Sequence, residues 1–108
     1  MDVVIHSHHA SVSEHMRKRA LRAVQRVATR LPRAVEAILR FEEDGPTKRV
    51  TVTLRAPRHH DLMGRADGKF FGPALVAALA RVTTQINREK RGAGHASKRT
   101  AARARVRG

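Results

Sequence analysis

The chain has no cysteine, no tryptophan and no tyrosine. Without cysteine there are no disulfides and no thiolate metal sites, and a reducing compartment suits it. Phe41, Phe70 and Phe71 are the whole aromatic complement. Single-strand platforms of the RRM or OB type stack bases on exposed aromatic rings. Phe41 belongs to an inward-facing set, and at least one of Phe70 and Phe71 is expected in the core, so that mode is set aside. Acids are scarce as well: nine Asp and Glu stand against 23 Lys and Arg, for a net charge of +14. No apolar run approaches the roughly 20 residues of a membrane span. The start, MDVVIHSHH, lacks the basic region and apolar run of a signal peptide. The expectation is a cytoplasmic protein with no membrane partner.

What is present is unevenly placed. The 108 residues suffice for one domain with one core. Residues 1–33 hold seven Arg and Lys against two acids, residues 34–67 six against six, and residues 68–108 ten against one. The flanks therefore carry +5 and +9 and the middle carries nothing. A generally basic surface would not partition this way, so the charge implies a directed face and a polyanionic partner.

One stretch of the first flank, Ser11 to Leu31, reads as an amphipathic helix with two stripes. Met16, Ala20, Val24, Val27 and Leu31 recur at intervals of three or four, as a core-facing stripe does. Arg19, Arg22, Arg26 and Arg30 recur at the same spacing, roughly 120° further round the helix. Ser11 followed by Glu14 has the form of a capping box, and Pro32 stops the helix.

Before this helix, Val3, Val4 and Ile5 suggest a short strand ending near His6. After it the period changes to two. Val35, Ala37, Leu39 and Phe41 alternate with polar residues, Glu43–Pro46 reads as a turn, and Val50, Val52, Leu54 and Ala56 alternate again, which makes a hairpin. Pro57 to His60 is a second turn, and a fourth strand is expected over 60–67. Pro73 suits the first position of a last helix, carried by Leu75, Leu79, Val82 and Ile86 and closed near Arg91 by Gly92 and Gly94. The expected fold is α+β in the order β-α-β-β-β-α: a four-stranded sheet with two helices packed on one face, double-stranded-RNA-binding-domain-like. Residues 1–91 would form this domain, and 92–108 a basic, disordered tail.

Chemistry finds little purchase. His6 and His8 share a face of an extended segment, but zinc needs three or four ligands and none complete the set. Ser7, Ser11 and Ser13 lie near histidines in sequence, which does not make a triad. Gly64, Gly68 and Gly72 are too widely spaced for a phosphate loop, and the glycine-rich arginine loop of acylphosphatases has no counterpart after the first strand. The chain is therefore not read as an enzyme, with no cofactor, no metal and no small-molecule substrate. A small hydrolase or histidine-based metal protein is the rival from a different class. Backbone recognition by Arg and Lys, suited to shaped and folded RNA, is what remains.

The start HSHHASVSEHMRKRAL, the strands VEAILRFEED and KRVTVTLRA, and the helix ALVAALARVTTQINREKR together resemble the ribosome hibernation-promoting factor and ribosome-associated inhibitor family over residues 1–91. The family's Gln-Leu-x-Lys-x-Lys-like helix end is matched by Gln85-Ile86-Asn87-Arg88-Glu89-Lys90. The resemblance implies a short-form ribosomal subunit interface protein that lies in the mRNA and tRNA channel of the small subunit. It would contact 16S rRNA through both helices and inhibit translation in stress or stationary phase. Arg88 and Lys90 carry over onto the basic positions of the last helix and Arg26 onto one of the first. With the charge stripes, the expected rRNA-binding set is Arg19, Arg22, Arg26, Arg30, Arg88, Lys90 and Arg91. Two departures stand out: the lysine common in the first helix falls on Ala23, and the usual Asp-x-Tyr-Ala-Ala-Ile-Asp gives way to Lys69 through Val76. No C-terminal dimerisation domain follows, so by analogy with long-form members the chain is not expected to pair ribosomes alone; a monomer away from the ribosome is expected. A general structured-RNA-binding module driven by the basic helices and tail is the alternative.

Overall fold

The computed structural model describes residues 1–31, 33–57 and 60–95, the last five of these by backbone alone. Six elements follow in order: β1 (Asp2–His8), α1 (Glu14–Ala28), β2 (Glu36–Asp44), β3 (Thr47–Arg55), β4 (Leu62–Gly68) and α2 (Phe71–His95). This is the expected β-α-β-β-β-α order. The sheet runs β1-β2-β3-β4. β1 and β2 are parallel, with Val3 opposite Ala37 and Ile5 opposite Leu39. Parallel neighbours need a crossover rather than a hairpin, and α1 supplies it. The β2–β3 and β3–β4 pairs are antiparallel.

The two-residue period places Ala37, Leu39 and Phe41 of β2, Val50, Val52 and Leu54 of β3, and Leu62 and Ala66 of β4 in one buried layer. α2 lies over β3 and β4, and α1 packs beside it and against β1. Ala20, Val24 and Ala28 complete the core from α1, and Ala74, Leu75, Ala78, Val82 and Ile86 from α2. Phe71 meets Phe41 edge-on at 5.2 Å between ring centres, while Phe70 is exposed. The core therefore takes one of the two adjacent rings. Gly64 sets the seating of α2: a Cβ there would lie 2.2 Å from the Ala78 carbonyl oxygen and 2.9 Å from a Val82 methyl. Only a residue without a side chain lets helix and strand approach this closely.

Several boundaries differ from expectation. Ser13, not Ser11, caps α1, its Oγ accepting the Met16 N–H at 3.1 Å. The Ser11 N–H instead donates to Glu43 at 3.3 Å, which ties the loop to the sheet. The helix ends at Ala28, where Thr29 takes over with its N–H on the Gln25 carbonyl. Leu31 still reaches the core from the turn that follows, while Pro32, expected to stop the helix, lies outside the described residues. Val35 precedes β2 at the end of the sheet; its backbone pairs with Asp2 and Arg55, but its side chain is exposed. The hairpin turn tightens to Gly45 and Pro46, with Gly45 at φ +62°. β4 starts at Leu62, two residues late. α2 begins at Phe71, so Pro73 takes the third helical position, where its missing N–H has no partner to lose. The same helix runs through Gly92 and Gly94 to His95, since a glycine costs a helix about 1 kcal/mol without ending it. The expected boundary at 91/92 thus falls inside α2, and residues 96–108 lie outside the described residues.

Candidate nucleic-acid interface

α1 turns its buried spacing of four, Ala20, Val24 and Ala28, to the sheet, and this fixes where its other faces look. Arg19, Arg22 and Arg26 are exposed, together with His15 and Lys18. They form one wall of a groove between the two helices, about 470 Å³ in volume. Leu75, Val76 and Leu79 of α2 form the other wall, and Ala23 lines the α1 side between the arginines. Val76 is 56% exposed, so the apolar wall is open to whatever enters. At the mouth Arg19 lies across the start of α2: a Cβ on Gly72 would sit 3.3 Å from its Nη1. The lack of a side chain on Gly72 gives this guanidinium room. Among the described residues no carboxylate lies within ion-pairing distance of Lys18, Arg19, Arg22 or Arg26.

Not all the expected site residues meet there. Arg30 is exposed beyond the end of α1 and does not line the groove. Arg88 lies on the far flank of α2, in a second cleft against β4 with Arg65 and Arg81. Lys90 is exposed on the last turns of α2, and the Arg91 side chain is outside the described residues. Of the expected set, Arg19, Arg22 and Arg26 share the groove and Arg88 lies across α2 in the second cleft, while Arg30 and Lys90 line neither. His15, Lys18, Arg65 and Arg81 were missed. Lys18 was legible, since 18, 22 and 26 step by four along one helix face. Arg65 and Arg81 were not, because only the packing of α2 on β4 joins them.

The open face of the sheet is arranged differently. Arg55 lies 3.3 Å from Glu36 and 3.3 Å from Asp61, and Arg49 meets Asp67 at 2.9 Å. Arg40 approaches Glu42 at 3.6 Å; on the helix side of the sheet, near the hairpin, Lys48 meets Glu43 at 2.6 Å, with its ammonium 5.7 Å from the Phe71 ring centre. The Lys48 hydrogen bond, aided by the Ser11 N–H, holds the Glu43 carboxyl below its ordinary range. The Arg49 hydrogen bond does the same to Asp67, and Asp67 in turn raises Arg49. Four cations of the middle third are thus paired with acids of the same third, while Arg65 forms no ion pair among the described residues.

The histidines are scattered. His6 and His8 are exposed on β1, the His8 ring is 4.3 Å from that of His9, and His60 meets Glu89 at 3.3 Å. Among the described residues no group of three or more His, Asp or Glu side chains converges, and no helix is long and apolar enough to cross a membrane.

The fold recurs in solved structures. A ribosomal subunit interface protein from Coxiella burnetii superposes with a TM-score of 0.73 at 13% identity, over 83% of this chain and 98% of that one. The N-terminal domain of Protein Y from Thermus thermophilus does so with a TM-score of 0.71 at 15% identity, over 82% and 98%. No curated protein matches the chain by sequence. The family model described as Sigma 54 modulation protein / S30EA ribosomal protein matches residues 3–92. The chain belongs to that family, and the resemblance to ribosome hibernation-promoting factors is thereby borne out.

Proposed function

We propose that this protein is a ribosome-binding hibernation factor. It occupies the mRNA and tRNA channel of the small subunit, lays the cationic side of its helical layer on 16S rRNA, and inhibits translation in stress or stationary phase. It acts by occupancy, and no bond is made or broken. The observation that carries this reading is the interhelical groove, with Lys18, Arg19, Arg22 and Arg26 along one wall and no carboxylate to neutralise them among the described residues. Family membership and a fold shared with a protein named for the ribosomal subunit interface support it.

The physics suits folded RNA. Guanidinium groups bind phosphate oxygens in pairs, and each neutralised phosphate releases condensed counterions. The narrow major groove of A-form RNA closes the bases to side chains, so recognition by shape and backbone is the mode available. Co-sedimentation with ribosomes and separated subunits across a salt series tests the reading. Saturable binding near one per small subunit is expected. With five to eight phosphates engaged, log affinity should fall against log salt with a slope of roughly −4 to −7. Unsaturable binding to both subunits alike, lost once residues 92–108 are removed, would instead make the chain a general structured-RNA module.

A further inference from the structure

We infer that the outer edge of β1 pairs with the same edge of a second copy of this chain, antiparallel and centred on Ile5. Away from the ribosome the protein is then a dimer with one continuous sheet. The inference stands apart from the RNA-binding reading, and it replaces the monomer expected from the sequence.

The two edges of the sheet are not alike. On β4, the Met63 N–H donates to Gln85 Oε1 at 3.0 Å and its carbonyl accepts Gln85 Nε2 at 2.5 Å, while the Arg65 carbonyl accepts from Arg81 Nη1. Side chains of α2 thus clasp that edge. On β1 the Asp2 N–H turns inward, to the Val35 carbonyl at 3.1 Å. These directions alternate along a strand, so Val3, Ile5 and Ser7 turn their N–H and C=O outward. Among the described residues none reaches these outward groups. An edge left this way is a template for another strand, and Lys or Pro ordinarily blunts it. In a chain with 23 Lys and Arg, none falls on β1, and neither does a proline.

The flank of this edge is apolar as well. Val3, Ile5 and Ser7 stand opposite Ala37, Leu39 and Phe41 and so point to the helical layer. Arg17 reaches from α1 to Ser7 Oγ at 3.3 Å. From there Leu21 and Gln25 follow along α1 as Ile5 and Val3 follow back down the strand. Four helical residues rise about 6 Å and two strand residues span about 6.6 Å, which brings Leu21 over Ile5. Both are half-buried, and Leu21 belongs neither to the core nor to the residues packed on it.

A second copy fits this edge by its own sequence. With Ile5 on a two-fold axis, Ile5 faces its counterpart and Val3 faces Ser7 of the other copy, and each of these pairs exchanges N–H···O bonds. Asp2 then stands opposite His8 at both ends, a carboxylate against an imidazole N–H donor. The two Leu21 side chains meet over the paired Ile5 residues. The patch is small and each copy carries +14, so the dimer forms in a concentration-dependent equilibrium that salt favours by screening. Phosphate binding, which releases counterions, responds to salt in the opposite sense.

Sedimentation equilibrium of the full-length protein, from low micromolar to near-millimolar and at low and high salt, tests this. A monomer–dimer equilibrium that strengthens with salt is expected. Leu21→Lys should weaken it about tenfold. Ser7→Pro, which removes an outward N–H and no bond to β2, should weaken it at least as much. Both should keep the unaltered circular dichroism. Asp2→His/His8→Asp, which swaps the end pairs, should restore what either single change weakens. The chain has no cysteine, so single thiols report the register. Val4→Cys and His6→Cys proteins, mixed and oxidised with diamide, should link to each other far more than each to itself, because 4 faces 6 across the axis. A monomer at every concentration, association that survives both Leu21→Lys and Ser7→Pro, or an excess of self-links overturns the inference. Should those two variants lose ribosome association while the unaltered protein is monomeric, the edge serves a different chain, and the inference falls.

Discussion

The two faces of this molecule carry their charges in opposite arrangements. On the open side of the sheet cations and acids alternate across neighbouring strands, as Arg55 does between Glu36 and Asp61 and Arg49 opposite Asp67. Opposite charges facing across strands support a sheet. On α1 the cations follow one another at spacings of three and four, from Lys18 and Arg19 through Arg22 to Arg26. Like charges at that spacing disfavour a helix by a few tenths of a kcal/mol per pair. The sheet face is thus satisfied in the free protein, whereas the helical face accepts a small instability that a polyanion would relieve. The net charge of +14 says that a polyanion is welcome, and the arrangement says where.

Reversing charge on each face is the sharpest way to break the comparison. The triple variant Arg19→Glu/Arg22→Glu/Arg26→Glu should weaken small-subunit co-sedimentation about a thousandfold, from three charge-assisted contacts at about 1.5 kcal/mol each. Its circular dichroism should stay unchanged. Arg55→Glu on the sheet should leave binding within about twofold, since distant surface sites couple weakly; equal losses from both faces would end the distinction. Next in size is the seat of the helical layer. Gly64→Val drives a side chain into the Ala78 carbonyl, and overpacking of this kind costs about 3 kcal/mol, read as a lowered urea midpoint. Removing the α1 cap by Ser13→Ala should cost about 1 kcal/mol, and Ser11→Ala far less, because only Ser13 accepts a helical N–H through its side chain.

The smallest effect belongs to the ion pairs of the strands in acid. Glu43 is held below its ordinary value of 4.5, chiefly by its hydrogen bond from Lys48, and Asp67 below its ordinary 3.8, chiefly by Arg49. The unfolded chain takes up these protons at a pH where the folded one does not. The pairs therefore add stability above the ordinary values, and it is lost as pH falls through the lowered folded ones. Thermal midpoints should decline as pH drops below 4.5, and Glu43→Gln should make that decline shallower.

The fold was largely legible because each element announces its period. Ala37, Leu39 and Phe41 alternate, Ala20 and Val24 stand four apart, and these are buried as expected, whereas Met16 and Val27 of the expected stripe are only half-buried and Ala28, outside it, is buried. Ends were harder to read, because they depend on single hydrogen bonds. Ser11 and Ser13 both precede an apparent helix, and nothing in the letters says that Ser11 is drawn to Glu43, a contact 32 residues distant. Gly92 and Gly94 suggest a stop but exact only a modest penalty. The groove was half legible: spacing gave its cationic wall, whereas the apolar wall of Leu75, Val76 and Leu79 required knowing that the two helices lie side by side. The second cleft was hidden for the same reason, since Arg65 and Arg88 are joined by packing and not by any pattern.

The clasp of Gln85 on Met63 has a further consequence, for crowding. A β-sheet with two bare edges can add copies without limit, and ribbons or fibres follow. Here the outer edge of β4 is occupied by the side chains of Gln85 and Arg81, while β1 has no such cover among the described residues. Strand-to-strand association through β1 would consume the bare edge of each copy and leave only covered ones. Growth by that route stops at a pair, so edge-to-edge pairing through β1 does not extend into a filament.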